Sequence, residues 1–594
     1  SPDMTPPYIE PKQHLLDLFR QALARVAPTA DTSIELNRPK QAAHGDWACN
    51  AAMQLARGLK RNPREVAAEL VSALPASEWV DKVEIAGPGF INVFLKPAVW
   101  QRLPAHILAQ GAEYGRLTLG RGERVQVEYV SANPTGPLHV GHGRGAAYGA
   151  SLANVLAYAG YDVAREFYVN DAGRQMDILA VSTWLRYLEL TGVHVPFPPN
   201  AYQGDYVRAM AESIYRLHAD RYKRSLAEIM SGVPPVPTPE EYAQRPDAKG
   251  AAEAALDALI AAAKRLLGQD YDYFHGYALE EQLGDCRNDL AEFGVSFDHW
   301  FSERTLHDAG LIDRALERLA ARGHLYEQDG ALWFRSSAFG DEKDRVVRRE
   351  NGQYTYFAAD IAYHLNKFER GFARVIDVWG ADHHGYIPRV KGALQALGLD
   401  PDRLTVALVQ FAVLYRNGQK VSMSTRAGEY VTLRELRQEV GNDACRFFYV
   451  LRKSDQHLDF DLDLAKSQSS DNPVYYIQYA HARISRVLAA WGGLEGDLIE
   501  ADASRLSHPD ELALLRCLAE FPDVVAAAAG DHAPHLIAYY LKDLAADLHG
   551  LYTSCQFLVE DEALRLARLQ LIAATRRVLR TGLTLLGVSA PDKM

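Results

Sequence analysis

The sequence has few cysteines and no long apolar run. Its five cysteines are far apart and include no Cys-x-x-Cys pair, which argues against a thiolate zinc site and against a disulfide framework. No stretch approaches the roughly 18 consecutive apolar residues that predict a membrane span. A positively charged leader followed by an apolar segment is also missing. We therefore expect no signal peptide, no membrane partner and a cytoplasmic location.

The composition is that of an ordinary globular protein. The chain has 594 residues, of which 48% are hydrophobic and 24% charged, and this excludes disordered, collagen-like and low-complexity classes. At roughly 150 residues per domain, the length predicts about four domains. The formal net charge is −12, from 64 Lys and Arg against 76 Asp and Glu. An acidic balance of this kind does not by itself suggest a nucleic-acid partner.

Hydrophobic periodicity divides the chain into three regions. Helical spacing at 11–27 and 50–74 precedes a strand–turn–strand pattern at 83–95, so we predict a small α+β domain over residues 5–118. Residues 471–594 are rich in Ala and Leu with little strand pattern. They are predicted to form an all-α helical bundle.

The middle region, residues 119–470, has the pattern of a nucleotide-binding unit. A buried strand at 125–130 is followed by a turn-rich loop, a helix at 146–160 and a second strand at 161–170. This β-α-β order predicts an α/β fold with a Rossmann-type, doubly wound parallel sheet. Three later segments are predicted to be strands: 331–335, 355–363 and 375–380. A helical insertion is predicted at about 190–280, between Pro-rich stretches.

Two histidines, His139 and His142, lie in the Gly-rich loop between the first of these strands and the helix. A helix N-terminus offers free backbone N–H groups and the positive end of a dipole, and two imidazoles at this spacing can reach one anion. Gly141 and Gly143 would let a nucleotide lie against bare backbone. We interpret the loop as a phosphate site; a turn with two capping histidines is the alternative. No metal site is predicted, because zinc-binding histidines on helices are usually four apart.

A second Gly-bounded loop, residues 416–436, carries Lys420 and Arg426 ahead of a helix that should begin near Thr432. A mobile basic loop of this kind can clamp a triphosphate in a transition state. A solvated surface turn is the alternative.

Several segments together resemble the bacterial arginyl-tRNA synthetases over nearly the whole chain. They are VEYVSANPTGPLHVGHGRG, YVNDAGRQ, GADHHGY, SMSTR and DNPVYYIQYAHAR. In this resemblance HVGH (139–142) corresponds to the HIGH signature of class I aminoacyl-tRNA synthetases and SMSTR (422–426) to KMSKS. It implies a ligase that activates L-arginine with ATP and Mg²⁺ and transfers it to the 3′ end of tRNA(Arg). Family members are mostly monomers, and they usually need tRNA even for the first step.

The resemblance also implies the roles of individual residues. The catalytic groups are His139, His142, Lys420 and Arg426. The ATP contacts are His139, Gly141, His142, Gly143, His384, Met423 and Ser424. The arginine contacts are Ser131, Asn133, Glu303, Tyr356, Asp360 and Asp382. The tRNA contacts are Tyr475, Tyr479, Arg483 and Arg576, in a C-terminal anticodon-binding domain, while the domain at 5–118 would bind the tRNA elbow.

A guanidinium has five donors in a plane, so a selective pocket needs carboxylates placed for bidentate pairing. Tyr356 and Asp360 are at positions i and i+4 and share one face if that stretch turns helical after Phe357. Three alternatives stay open at this stage. Asp360 could be a helix N-cap, Glu303 a solvated acid, and Tyr356 part of the core.

The second signature departs from the family pattern. Ser422 and Thr425 stand where KMSKS has lysines, and Gly136 stands three positions before His139, where some family members carry a compensating lysine. Lys420 is therefore our preferred phosphate cation, with Arg426 as the other candidate.

Aromatic and Arg side chains at helical spacing in the C-terminal region could stack on unpaired bases, although a helix-bundle core would use the same tyrosines. Residues 471–594 contain 16 acidic and 11 basic residues, a net charge of −5, so RNA binding there would need a local basic strip such as Arg576, Arg577 and Arg580. Two other functions remain: a nucleotidyltransferase that does not use RNA, and an inactive relative that only binds tRNA.

Overall fold

The computed structural model describes residues 8–424 and 430–594. Among these residues, no helix is both long enough and apolar enough to cross a bilayer. Arg426, one of the two candidate phosphate cations, lies outside the described residues.

The N-terminal region is a four-stranded antiparallel sheet with helices, as its pattern predicts. Its elements are α1 (Pro11–Val26), β1 (Leu36–Asn37), β2 (Trp47–Cys49), α2 (Ala51–Leu59), α3 (Pro63–Ala73), β3 (Val80–Ala86), β4 (Phe90–Leu95), α4 (Pro97–Gln101) and α5 (Leu103–Gln110). The sheet order is β1-β2-β4-β3. The predicted helix over 50–74 is two helices, because Asn62 caps a new helix that begins at Pro63.

The middle region begins with the predicted β-α-β unit and continues into helices. These elements are β5 (Arg124–Glu128), α6 (Gly143–Tyr158), β6 (Asp162–Val169), α7 (Arg174–Leu190), α8 (Asp205–His218), α9 (Leu226–Met230), α10 (Pro239–Gln244), α11 (Ala248–Leu267) and α12 (Gln269–Glu292). The helices from α7 to α12 pack around an apolar cluster of their own. The predicted helical insertion, about 190–280, lies within this helical part of the chain.

The second half of the middle region returns to the sheet. Its elements are β7 (His299–Ser302), α13 (Arg304–Asp308), α14 (Leu311–Ala321), β8 (Leu325–Gln328), β9 (Ala331–Phe334), β10 (Arg345–Arg348), α15 (Tyr356–Glu369), β11 (Arg374–Gly380), α16 (Ile387–Ala396), β12 (Leu404–Val409), β13 (Ala412–Arg416), β14 (Gln419–Lys420), α17 (Leu433–Val440), α18 (Asn442–Tyr449), β15 (Leu458–Asp461) and α19 (Leu462–Lys466). The predicted strand at 355–363 is wrong. Thr355 accepts a hydrogen bond from the Ala358 amide and so starts helix α15.

The central sheet is parallel throughout, with the order β12-β11-β5-β6-β7. Counted along the chain, this is the 3-2-1-4-5 order of a doubly wound sheet, so the predicted fold class is confirmed. The order reverses between β5 and β11, and ligands of such folds bind outside the carboxyl ends of the strands at that point. The loop that carries His139 follows β5, and the turn Ala381–Tyr386 follows β11.

The C-terminal region is helical, as predicted. Its helices are α20 (Pro473–Trp491), α21 (Pro509–Gly530), α22 (His535–Ser554) and α23 (Glu562–Leu585). The N-terminal region packs against them: the Tyr114 hydroxyl donates to the Leu518 carbonyl at 2.7 Å, and Arg38 pairs with Asp523 at 2.9 Å. One continuous apolar cluster runs from Leu15 to Val588. The two ends of the chain are therefore held together by shared core.

Candidate active site

The loop after β5 ends in a 3-10 turn, Val140–His142, in which two histidines cap one another. The Gly141 amide donates to His139 Nδ1 at 3.1 Å, and the His139 amide donates to His142 Nδ1 at 3.2 Å. The two ring centroids are 3.8 Å apart. Because each Nδ1 accepts a hydrogen bond, each neutral ring carries its proton on Nε2. The turn thus holds two N–H donors close together.

Both imidazoles are neutral at physiological pH. Burial lowers the pKa of His139, and burial together with the neighbouring His139 lowers the pKa of His142 to about 3. A neutral Nε2–H can donate to a phosphate oxygen without first having to gain a proton. The capping interpretation and the phosphate interpretation are therefore compatible, since Nδ1 caps while Nε2 stays available.

The second signature loop is attached to this turn by backbone hydrogen bonds. The Val140 amide donates to the Val431 carbonyl at 3.0 Å, and the Val431 amide donates to the Met423 carbonyl at 2.9 Å. The ring of Tyr430 stacks on His139 with centroids 4.6 Å apart. Lys420 is exposed at the end of β14, and Ser424 is exposed on the adjoining segment. The fold thus brings the two signatures together although about 280 residues separate them in the chain.

A cleft of about 670 Å³ lies between the histidine turn and residues 199–206, which comprise a loop and the first two residues of α8. Asn133, His139 and His142 line one side, and Tyr430 lines the cleft as well. Such a volume suits a small organic ligand.

Gly136 also lines this cleft, and the space beside it is filled. The Tyr206 hydroxyl donates to the Thr135 carbonyl at 2.6 Å. A Cβ at position 136 would lie 2.8 Å from the Tyr206 hydroxyl oxygen. A lysine at this position would therefore collide with Tyr206, which is a physical reason for glycine here.

Two acids from different elements lie close together: Asp360 on α15 is partly buried, and Glu303 at the start of α13 is buried. Glu303 is 6% exposed. Burial is the main cause that raises the pKa of each carboxyl, and the charge of Asp360 also raises the pKa of Glu303. Within residues 8–424 and 430–594, neither acid has an ion pair with a Lys, Arg or His side chain. Two neighbouring acids that have no ion-pair partner form a site that favours a bound cation.

Beneath these acids lies a row of carboxylates that is fully paired. Asp377, Glu128 and Glu166 are in register across the three adjacent strands β11, β5 and β6. Helix α15 covers the row with Lys367, which bonds Glu128 at 2.6 Å and Asp377 at 2.9 Å. Arg370, one turn later, donates two hydrogen bonds to Glu166 at 2.7 and 2.8 Å.

The charges in this row are fixed by their partners. His364 has ring nitrogens beside the Asp360 carbonyl at 2.8 Å and beside the Asp377 carboxylate. Both are acceptors, so His364 is the imidazolium, and its pKa is raised by Asp377 against the opposing effect of burial. Lys367 and His364 in turn lower the pKa of Asp377 although burial raises it. The row anchors α15, and with it Asp360, to the sheet.

Ser131 and Asn133 lie at the end of β5. The Ser131 hydroxyl donates to Glu128 at 2.9 Å and accepts from the Tyr168 amide at 3.1 Å, and its backbone is left-handed, with φ of 47°. Asn133 is exposed and accepts from the Asn170 side chain at 3.2 Å. Both therefore lie at the carboxyl edge of the sheet, beside the histidine turn.

Tyr356, Asp382 and His384, three further predicted contacts of arginine or ATP, are exposed. Tyr356 begins α15 and is 68% exposed, so the interpretation that it belongs to the core is wrong. Helical geometry places Tyr356 on the face of Asp360. Asp382 and His384 are exposed in the 3-10 turn after β11. His383 is exposed in the same turn.

The four residues predicted to contact tRNA lie on α20 and α23. Tyr475 and Tyr479 stack with centroids 5.9 Å apart, and Arg483 lies 3.7 Å from the ring centroid of Tyr552. Arg576 pairs with Glu495 at 3.2 Å. The predicted basic strip on α23 is therefore partly neutralised within the chain.

Sequence analysis missed three tyrosines of the site, Tyr168, Tyr386 and Tyr430. The Tyr386 hydroxyl donates to Asp360 at 2.7 Å, and Tyr168 lies beside Glu303 and lowers the pKa of its carboxyl, which burial raises. Tyr168 and Tyr386 lie inside the segments YVNDAGRQ and GADHHGY or directly beside them. Their position in these segments could have identified them as candidates, but the sequence does not show which acid each tyrosine contacts.

Comparison with known proteins gives matches along most of the chain. Residues 13–95 match the family model for the arginyl tRNA synthetase N terminal domain. Residues 104–195 and 299–459 match the model for the class I (R) tRNA synthetase catalytic domain. Residues 477–594 match the DALR anticodon binding domain.

Full-length relatives agree with these matches. A protein of Azoarcus sp. named arginine–tRNA ligase is 66% identical, over 98% of this chain and 100% of its own length. A protein of the same name from Nitrosospira multiformis is 62% identical, over 100% of both chains. The solved Thermus thermophilus arginyl-tRNA synthetase superposes with a TM-score of 0.72 at 24% identity, over 98% of this chain and 100% of that one, which shows the shared fold.

Proposed function

The chain belongs to the arginyl-tRNA synthetase family, and from that premise we propose which of its residues carry out the reaction. It is an ATP-dependent arginine–tRNA ligase that forms arginyl-adenylate and transfers arginine to the 3′ end of tRNA(Arg). The predicted function is thereby confirmed at the level of the reaction. The roles of the individual residues are our proposal.

ATP binds with its phosphates at the histidine turn. An arginine carboxylate oxygen attacks the α-phosphorus, the bond from phosphorus to the bridging oxygen breaks, and pyrophosphate leaves. His139 and His142 donate from Nε2 to phosphate oxygens as negative charge builds up. Gly141 and Gly143 let the nucleotide approach the backbone, with His384, Met423 and Ser424 as further contacts. ATP enters as its magnesium complex, with the metal held mainly by phosphate oxygens.

The arginine side chain binds between Asp360 and Glu303. The observation that supports this most strongly is that two neighbouring acids, Glu303 buried and Asp360 partly buried, form no ion pair with a Lys, Arg or His side chain among the described residues. A guanidinium supplies that charge and enough donors for both acids. Tyr356 and Asp382 border the pocket, and Ser131 and Asn133 hold the amino and carboxylate end near the histidine turn.

Lys420 is the phosphate cation of the second loop, with Arg426 as the second candidate. We expect Lys420→Ala to lower the rate of arginine-dependent ATP–pyrophosphate exchange about a hundredfold while the KM for arginine changes little, because the charge acts on the leaving pyrophosphate. Lys249→Ala, which removes an exposed lysine of α11, is the matched control. A near-normal exchange rate in Lys420→Ala would contradict the role of Lys420 as the phosphate cation and would favour Arg426.

We propose, as the sequence predicts, that residues 5–118 bind the tRNA elbow, residues 119–470 carry out catalysis and residues 471–594 bind the anticodon. Tyr475, Tyr479, Arg483 and Arg576 are the proposed contacts in the last of these. Stacked tyrosines beside an arginine on one helix, α20, support this, because unpaired bases bind to such surfaces. We further propose that the protein acts as a monomer in the cytoplasm.

The function is tested by ATP–pyrophosphate exchange with and without tRNA(Arg), followed by charging of the tRNA with labelled arginine. We expect exchange that depends on arginine and is strongly stimulated by tRNA. Exchange that is indifferent to arginine would favour a different nucleotidyltransferase. Binding of tRNA without exchange under either condition would favour an inactive binding protein.

A further inference from the structure

Each of the two acids of the proposed arginine pocket lies beside a tyrosine. Tyr386, at the end of the turn after β11, donates to Asp360 Oδ2 at 2.7 Å. Tyr168, near the end of β6, lies beside Glu303 and lowers the pKa of its carboxyl, which burial raises. The two pairs come from four separate elements: α15, the turn Ala381–Tyr386, β6 and the start of α13.

Aromatic neighbours hold both phenol rings in place. Tyr168 lies between Phe301, with ring centroids 6.1 Å apart, and Tyr363, at 4.6 Å. Tyr386 lies against Phe357 at 6.1 Å and Trp379 at 5.7 Å. A ring packed on two sides has little freedom to rotate, so the direction of its hydroxyl is set by the core.

We propose that Tyr386 and Tyr168 are positioning residues for arginine selection, which fix the rotamers of Asp360 and Glu303 and keep both acids ionised. This inference rests on the proposed arginine pocket. A carboxylate that receives one fixed donor keeps its other lone pairs pointed at the ligand, which is the geometry that a planar guanidinium can use and a flexible ammonium cannot. The tyrosines are neutral, so they leave the negative charge of the pocket for the substrate.

The arrangement differs from the carboxylate row beneath it. Asp377, Glu128 and Glu166 receive cations from α15, and their charge is already satisfied within the protein. Asp360 and Glu303 receive hydroxyl donors instead. The ionisable groups that face Asp360 or its partner Tyr386 are His364 and Lys367 on its own helix, Asp377 on β11, Glu303 at α13, Tyr168 on β6, Arg345 on β10 and Arg389 on α16.

The proposal is tested with Tyr386→Phe and Tyr168→Phe in the full-length enzyme. We expect each variant to raise the KM for arginine about tenfold with little change in kcat, because one hydrogen bond to an ionised group is lost at the binding step. Direct calorimetric titration with L-arginine should show the same loss. The KM for ATP should stay unchanged.

The pH profile supplies a second readout. The ionised carboxylate binds guanidinium, so kcat/KM for arginine falls as the pH drops through the pKa of Asp360. Loss of a donor that favours the ionised form raises that pKa, so in Tyr386→Phe the fall should begin at a higher pH than in the wild type. A variant that only loses packing would not change the pH at which kcat/KM for arginine begins to fall.

Tyr326→Phe is the matched control, because its hydroxyl donates to Asp344 at the same 2.7 Å on the small sheet β8–β10. Unchanged arginine KM and unchanged pH profiles in both test variants would overturn the proposal. The same rise in the KM for arginine in Tyr326→Phe would also overturn the proposal. A fall in kcat without a rise in KM in the test variants would overturn it too. If one variant fails to fold, the other decides. A wild-type enzyme without arginine-dependent exchange would instead overturn the proposed function.

Discussion

Replacement of Asp360 by alanine should raise the KM for arginine by about 10²–10³-fold while the KM for ATP stays near its original value. The fully paired row of carboxylates holds one face of α15 against the sheet, and Asp360 is on that face. Without it, a guanidinium bound opposite Glu303 would be half unpaired in a site that excludes water. A buried charge that loses its partner costs more than the same pair would cost at the surface.

The measurement is steady-state aminoacylation at saturating ATP and tRNA, with arginine varied. Asp360→Asn separates charge from shape, because it keeps the size and an acceptor but removes the negative charge, and it should be nearly as damaging as alanine. Asp344→Asn, at the acid that accepts from Tyr326, controls for the loss of any Tyr–Asp pair. An arginine KM unchanged in Asp360→Ala would remove Asp360 from the pocket.

Replacement of His142 by alanine should slow arginine activation by about 10²–10³-fold, the usual cost of removing one preorganised donor to a developing negative charge. The KM for arginine should change little, because the donor acts on the phosphate. Burial keeps the pKa of His142 at about 3. The wild-type rate should therefore show no inflection from His142 near the ordinary pKa of histidine, since the neutral ring is the active form throughout.

Two conservative variants separate the catalytic role of His142 from its capping role. Asparagine places an acceptor near the position of Nδ1, so His142→Asn can keep the cap to the His139 amide but loses the outward donor. Glutamine places an amide N–H near the position of Nε2, so His142→Gln should recover part of the rate. Single-turnover formation of arginyl-adenylate measures both. Wild-type activity in His142→Asn would leave only the capping role.

The local pattern of the chain was enough to predict much of this protein. The β-α-β order around His139 predicted the parallel sheet, and the capped helix after Thr432 begins where its sequence signal lies. The stretch after Thr355 was misinterpreted as a strand. Its apolar residues suit either structure, and the Thr355 cap and the packing of α15 on the sheet favour the helix.

The sequence by itself determined the histidine turn, because the partners that cap each other are three residues apart and need no distant contact. It also determined the family, through several motifs in one order. Only the tertiary structure decided which residues come together in the proposed arginine pocket. That pocket brings Asp360 to Tyr386 and Glu303 to Tyr168, and the strand order, not spacing along the chain, makes these residues neighbours. It also decided how each acid is paired: the three under α15 form ion pairs with Lys367, His364 and Arg370, whereas Asp360 and Glu303 form no ion pair among the residues that the structure describes.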